Sequence, residues 1–325
     1  MAWKPSGCPD HVGRGRGLRR AVRGTAGGPV SLTQTLRFIL GHPLNVDSRT
    51  NALGRYVGWQ IRSHVLPGPL ITPFVNNSKL AIRRGRPAST GNLYTRLHEF
   101  AEMGFVLHVL RKGDLFVDVG ANVGAYSILA ASLQGTRCIA FEPASDTYRL
   151  LLENVQLNDY ASRVTTHRIA IGNEDGETLL TATLDTVNHV AGAIDAGVAQ
   201  ESVPLRRLDT ILGAERPAVI KIDVEGYETH VIEGATETLR DQTLMSVVLE
   251  MNGSGLRYGL DEQLLDEALL TQGFSPLSYD PLSRRLIPLP KVNASGNRIY
   301  VRDRDAVQKR LLSAEAFALP DGRHI

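Results

Sequence analysis

The chain has 325 residues, 42% of them hydrophobic, and its 36 Lys and Arg stand against 34 Asp and Glu for a net charge of +2. That length carries one large α/β domain with a smaller appendage, and the balanced charge gives no support to a dedicated nucleic-acid binder. No apolar run reaches the ~18 residues that cross a bilayer, and Cys8 and Cys138 sit in contexts too different for a structural disulfide, which fits a reducing cytoplasm.

Residues 1–29 hold six Lys or Arg and one Asp and read as a disordered basic tail. Arg19-Arg20 is followed by no apolar stretch, because Arg23, glycines and Pro29 interrupt it, so an export signal is not indicated. Residues 30–98 are expected to form a small mixed α/β cap or lid. In it "SLTQTLRFILGHPLN" reads as a helix stopped at His42-Pro43, and "ALGRYVGWQIRSHVL" as a second helix ended by Pro67-Gly68-Pro69. "LITPFV" and "KLAIRR" flank Asn76-Asn77-Ser78 as a β-hairpin. From Leu93 to Leu110 apolar residues recur at helical spacing.

Residues 99–303 alternate strand and helix. "LFVDVG", "RCIAFEP", "RVTTHRIAIGN", "AVIKIDVEG", "LMSVVLEMN", "FSPLSYD" and "NRIYVRD" read as strands, with "ETLLTATL" as a hairpin partner to the third. "AYSILAASL", "SDTYRLLLENVQLND", Tyr227 to Leu239 and "LDEQLLDEALLTQG" read as helices, and residues 304–325 as a C-terminal helix and tail. Strands without polar alternation, joined by helices, indicate a Rossmann-like, mostly parallel sheet wound on both faces.

Ligands of such sheets bind beyond the carboxyl ends of the strands, near the switch point. The turn "GANVG" occupies that place: Gly120 permits the sharp turn, Asn122 can cap the helix or offer an amide, and Gly124 lets the helix pack closely. Glu142 follows Gly120 by 22 residues, where an acid accepts from both hydroxyls of an adenosine ribose. That acid alone leaves both NAD and S-adenosylmethionine open. The turn separates them, because G-x-x-x-G is not the G-x-G-x-x-G that approaches a pyrophosphate. Asp118 beside it suits the ammonium and sulfonium of S-adenosylmethionine and would repel a pyrophosphate.

From about Gly91 to Asp303 the chain resembles the FkbM family of S-adenosylmethionine-dependent methyltransferases. The resemblance rests on "GDLFVDVGANVGAYSILAA", "AFEPASDTYRLLLENVQLN", "VIKIDVEGYETHVIEGA" and "VVLEMNG". It implies a seven-stranded methyltransferase sheet, S-adenosylmethionine as methyl donor, and transfer to a hydroxyl oxygen of a sugar or natural product. Carried over by position, Asp118, Gly120, Asn122 and Gly124 match the first cofactor motif and Glu142 the ribose acid. Asn173, Glu174 and Asp175 fall where such folds contact adenine, although "GNEDG" serves equally as a plain turn.

Transfer to an alcohol needs a group that takes its proton. Asp223 and Glu225, at the end of the fourth strand, and Glu250, at the end of the fifth, are candidates. Asp223 and Glu225 are expected to point to opposite sides, with Lys221 paired to Asp223. The three acids could hold a divalent cation, but no His-rich or dense carboxylate spacing supports it, so a metal-free site is expected. His189 and Asn188, in "DTVNHVAG" (185–192) within the long loop at about 184–201, are candidates for contact with the acceptor, and His98 and Glu99 for closure over the cofactor's methionine end. His230 reads as structural. The expected partner is a small-molecule acceptor, with neither nucleic acid nor membrane.

Overall fold

A run of apolar residues with no polar alternation belongs in a strand covered on both faces, and all five residues of Leu115–Val119 are buried. The computed structural model describes residues 31–181, 189–192, 195, 197–289 and 296–325. The N-terminal tail and Asn188 lie outside them. Residues 39–325 form one unit, which contains every strand among the described residues, and residues 1–38 form another.

In chain order the strands are β1 (Leu70–Pro73), β2 (Lys79–Ile82), β3 (Leu115–Val119), β4 (Arg137–Phe141), β5 (Val164–His167), β6 (Ala170–Gly172), β7 (Gly176–Thr181), β8 (Gln200–Arg207), β9 (Val219–Ile222), β10 (Ser246–Met251), β11 (Ser275–Asp280), β12 (Arg285–Pro288) and β13 (Gly296–Val301). The main sheet has the order β12-β11-β13-β10-β9-β3-β4-β5. From β10 to β5 neighbouring strands are parallel, whereas β13 lies antiparallel between β10 and β11. The seven expected strands are thus present in a Rossmann-like α/β arrangement. The eighth, β12, is a four-residue edge strand after a turn in which Arg284 has φ 55, too short and too Pro-flanked to register in the sequence.

The stretch "RVTTHRIAIGN" is two strands. β5 ends at His167 in the main sheet, and β6 joins a second sheet of order β6-β8-β7. β8 therefore lies between β6 and β7, and β7 pairs with β8 instead of with the third strand. The helical stretch 93–110 is also divided, because Arg96 takes φ 75 between the helices Pro87–Thr95 and Phe100–Val109. That break carries His98 and Glu99 out of helical geometry. The segment Tyr227 to Leu239 splits in the same way, into Glu228–Glu233 and Thr236–Arg240.

Each face of the sheet has its own apolar core. Phe116, Cys138, Ala140 and Val219 pack with Phe105, Ile128 and Leu129, while Val117, Val119, Ile220 and Ile222 pack with Leu208, Val231 and Leu265. Leu44, Trp59, Phe74, Ile82 and Leu97 belong to the first of these cores, so the segment 39–98 shares the sheet's interior. The β1–β2 hairpin is tied to the helix Ser145–Leu157 through Asn154, whose Oδ1 accepts from Ala81 N (2.8 Å) and whose Nδ2 donates to the Val123 carbonyl (2.8 Å). No helix among the described residues is long and apolar enough to cross a membrane.

Where β6 meets the helical pair 228–240, backbone touches backbone. A Cβ added at Gly234 would stand 1.8 Å from the Gly172 carbonyl oxygen. Gly234→Ala is expected to cost about 1–3 kcal/mol through overpacking, read as a lower denaturant midpoint with an unchanged slope. An unchanged midpoint would refute this close approach.

Candidate active site

The strand order reverses at β3, with β4 and β5 on one side and β9 and β10 on the other. A crevice opens at such a point. The chain leaves β3 through Gly120 at φ 79, where a Cβ would lie 1.8 Å from the Asp223 carbonyl oxygen at the end of β9. Only glycine tolerates both the left-handed backbone and that contact. Asn122 also has a positive φ of 52, and its backbone N–H donates to Glu142 Oε2 (2.9 Å). The Ala144 N–H donates to Glu142 Oε1 (2.9 Å). Glu142 is only 7% exposed, and burial pushes its pKa up to about 7 despite these two bonds.

Around this turn lies a cleft of ≈ 240 Å³. Phe141, Ile169, Ala170, Ile171 and Leu180 give it an apolar wall, and Glu99, Glu142, Asp223, Glu225 and Glu250 line it with carboxyl groups. Beneath the carboxyl end, Lys221 is 3% exposed. Its Nζ donates to Asp223 Oδ2 (2.7 Å) and lies 4.8 Å from the centroid of the Tyr126 ring. The Tyr126 hydroxyl donates to Glu99 Oε2 (2.6 Å).

The acids respond to their crowding. Burial alone would raise Asp223, but the Lys221 ammonium and hydrogen bonds with Glu250 and Lys221 together outweigh it and hold Asp223 below the ordinary carboxylate range. Burial, then the Asp223 charge, pushes Glu250 up to about 10. Burial and the same charge raise Glu225 to about 7. Asp223 and Glu250 therefore hold a proton between them near neutrality. One carboxylate oxygen from each of Asp223, Glu225 and Glu250 lies within 4.8 Å of the others, a spacing denser than the sequence implied and one that a divalent cation accepts.

Gly120, Asn122, Glu142, Glu99, His98, Asp223, Glu225, Glu250 and His189 all line the cleft. Asp223 and Glu225 both do so, contrary to the expectation of opposite sides. β9 stops at Ile222 and Glu225 takes φ 56, so strand alternation no longer governs them. His189 is 4% exposed, and its Nε2 lies 3.2 Å from Asp195 Oδ1. His230 packs against Tyr227 with ring centroids 4.2 Å apart and planes tilted by 39°.

Three expected positions fall elsewhere. Asp118 is 1% exposed and does not line the cleft. Strand alternation turns it under the sheet, opposite Lys221 in register, where its Oδ2 accepts from Ser127 Oγ (2.6 Å). Gly124 also stands back; a Cβ there would meet Leu151 Cδ1 at 2.5 Å, so its smallness serves the packing of the helix Ser145–Leu157. Asn173 is exposed and donates to Glu233 Oε2 (2.8 Å), and Asp175 accepts from Arg207 N. The chain has already left the main sheet there, and "GNEDG" is the turn between β6 and β7. Ile169 and Ile171, one step earlier, line the cleft instead. The two isoleucines carry no polar signature by which the sequence could have marked them.

Residues 118–271 match the methyltransferase FkbM domain model. That stretch is an FkbM-family methyltransferase domain. Methyltransferase sdnD of Sordaria araneosa is 27% identical over 192 residues, covering 49% of this chain and 74% of that protein. Hexuronic acid methyltransferase AglP of Haloferax volcanii is 28% identical over 188 residues, covering 54% and 71%. A crystal structure of methyltransferase FkbM from Methylobacillus flagellatus KT aligns with a TM-score of 0.40 at 19% identity, over 59% of this chain and 45% of that one. The chain thus spans less than half the length of that structure.

The cofactor of this FkbM domain is S-adenosylmethionine, and the cleft fits it. Each Glu142 oxygen accepts one backbone N–H, and a carboxylate has about four lone-pair sites, so two remain for a vicinal diol. The apolar wall suits a purine. The surplus of acids suits a molecule with a sulfonium and an ammonium.

Glu142 also makes a prediction about stability. Its folded pKa, about 7, lies above the ordinary 4.5, so the fold binds a proton that the unfolded chain has released. Stability from this group is complete on the acid side of 4.5 and is lost as pH rises toward 7. Ligand-free Glu142→Gln should therefore gain in Tm relative to wild type between pH 5 and pH 8. A difference that stays constant across that range would contradict the assignment.

Proposed function

We propose that the protein transfers the methyl group of S-adenosylmethionine to a hydroxyl oxygen of a small molecule, a sugar or a natural product. The observation that carries this reading is the convergence of Asp223, Glu225 and Glu250 beside the switch-point turn, since an alcohol must give up a proton as its oxygen attacks. The relative named as a hexuronic acid methyltransferase supports a sugar acceptor.

In this reading Glu142 holds the ribose diol, the Asn122 turn lies against the nucleoside, and the Ile169–Ile171 wall packs on the adenine. Glu99, fixed by the Tyr126 hydroxyl, faces the methionine end. When bound, S-adenosylmethionine supplies an electrophilic methyl group on a positively charged sulfur. Asp223, kept ionised by Lys221, accepts a hydrogen bond from the acceptor hydroxyl and takes its proton as the new carbon–oxygen bond forms. Glu225, at about 7, is matched to carry that proton onward near neutral pH. Glu250 keeps its own proton and can donate to a second acceptor oxygen. His189, set by Asp195, faces the acceptor from the loop.

Calorimetric titration with S-adenosylhomocysteine, with NAD as control, tests the cofactor half. Binding of the former alone is expected, and binding of NAD alone would overturn the reading. Glu142→Ala should weaken S-adenosylhomocysteine by at least tenfold, the loss of charge-assisted hydrogen bonds of about 1.5–3 kcal/mol; unchanged affinity would remove the ribose assignment.

Asp223→Asn should keep cofactor affinity and lower kcat by about 10²–10⁴, and full turnover would remove it as the base. Dialysis against EDTA should leave turnover intact. Activity lost there and restored by Mg²⁺ would assign the three acids to a cation instead.

A further inference from the structure

We propose that the pocket between the helix Arg49–Val65, the turn at Arg96 and the C-terminal segment 321–323 is a second binding site, which takes a phosphate group. It shares no lining residue with the catalytic cleft, and it does not depend on the methyl-transfer reading above.

The pocket, of ≈ 460 Å³, is lined by Arg55, Arg96 and Arg323, with Asp321 and Asp47 as its acids. Guanidinium groups that converge on one hollow suit phosphate, because their forked N–H groups match its oxygens. Asp321 does not use them up. It accepts from Arg323 Nε (3.2 Å) and Nη2 (2.8 Å), while Arg96 Nε lies 3.7 Å from its Oδ2, buried and without a hydrogen bond. Arg55 is held in place by the Leu93 and Tyr94 carbonyls (3.1 and 2.8 Å) and by Asn45 Oδ1 (2.7 Å). These bonds engage its Nε and Nη2 and leave Nη1 for a ligand.

The three cations act on one another. Burial, then the charge of Arg96, lowers the pKa of Arg55 to about 10, and Arg323 adds to the effect. Burial and Arg323 also lower Arg96, against the pull of Asp321. An anion seated among them relieves that repulsion.

The backbone adds to the attraction. The helix Arg49–Val65, seventeen residues long, meets the pocket with its amino end through Ser48, Thr50 and Asn51, and that end of a helix favours negative charge. Ser48, at the cap position, makes no side-chain capping bond, so its hydroxyl can serve a ligand oxygen. Arg96 itself stands at φ 75, ψ −53, close to the strained γ-turn geometry. Such strain persists where the surroundings hold it, as they do in ligand clamps. The volume leaves room for an organic group attached to the phosphate.

The test is calorimetric titration with inorganic phosphate and with glucose 6-phosphate, using glucose and NaCl as controls, in the presence and absence of saturating S-adenosylhomocysteine. Saturable binding of the phosphates, with a Kd of about 1 mM or tighter, is expected under both conditions, and the controls should not bind. Arg96→Gly, which suits the left-handed backbone, should weaken phosphate by roughly tenfold or more. Asp47→Lys, at an exposed position, should tighten it by about threefold or more, a gain that misfolding does not produce. If Arg96→Gly does not fold, Asp47→Lys decides alone.

Tighter binding of glucose 6-phosphate identifies a phosphorylated small molecule as the ligand, and tighter binding of inorganic phosphate the free ion; either upholds the site. Absence of saturable phosphate binding overturns the proposal. Binding that either folded variant leaves unchanged overturns it as well. So does binding abolished by S-adenosylhomocysteine, which would seat the anion in the catalytic cleft instead.

Discussion

An ammonium group buried in the middle of a sheet must be compensated on the spot, and at this site that requirement falls on Lys221. Burial works against its charge, and Asp223, Asp118 and Glu99 more than reverse the effect, so the group stays protonated well above neutrality. The consequences run upward to the cleft. Asp223 is fixed as the ionised member of the acid group, and its charge adds to burial in keeping the proton on Glu250 and raising Glu225. The Tyr126 ring covers the ammonium while its hydroxyl restrains Glu99. One buried cation thus keeps Asp223 ionised among acids that burial otherwise drives toward protonation.

Parallel strands place that cation where it acts. β3 and β9 are neighbours in register, Asp118 beside Lys221, and the strand ends are close enough that Gly120 rests on the Asp223 backbone. The turn that fits the cofactor and the segment that carries the acids are therefore in direct contact. The second sheet, β6-β8-β7, contributes the opposite kind of surface: its entry supplies Ala170 and Ile171, and its far strand Leu180. A polar half and an apolar half meet across one crevice because the chain leaves the main sheet after His167.

Much of this was legible in the sequence. Unbroken apolar strands gave the parallel sheet, the glycine turn and Glu142 gave the cofactor crevice, and "KIDVEG" and "VVLE" gave the acids. What escaped did so for physical reasons. Asp118 is a strand residue whose side chain is sent to one face by alternation alone, and the sequence does not say that this face is an interior one beside Lys221. Asn173 was misplaced because the departure from the main sheet occurs at His167-Arg168, a polar pair that reads equally well as part of a strand. Glu225 reached the cleft through a positive φ, which no pattern of apolar residues encodes. Ile169 and Ile171 act by shape, and shape appears only once the walls are assembled.

Asn154 joins two parts of the chain that sequence similarity separates. Its amide nitrogen supports Val123 within the glycine turn, and its oxygen receives Ala81 from the hairpin, yet the hairpin lies before the matched stretch 118–271. The recognisable domain is therefore not a self-sufficient module. Its cofactor turn is braced by a segment that the family pattern does not include, so that segment can diverge in its outer surface while a buried amide and a shared apolar core keep it bound to the catalytic half.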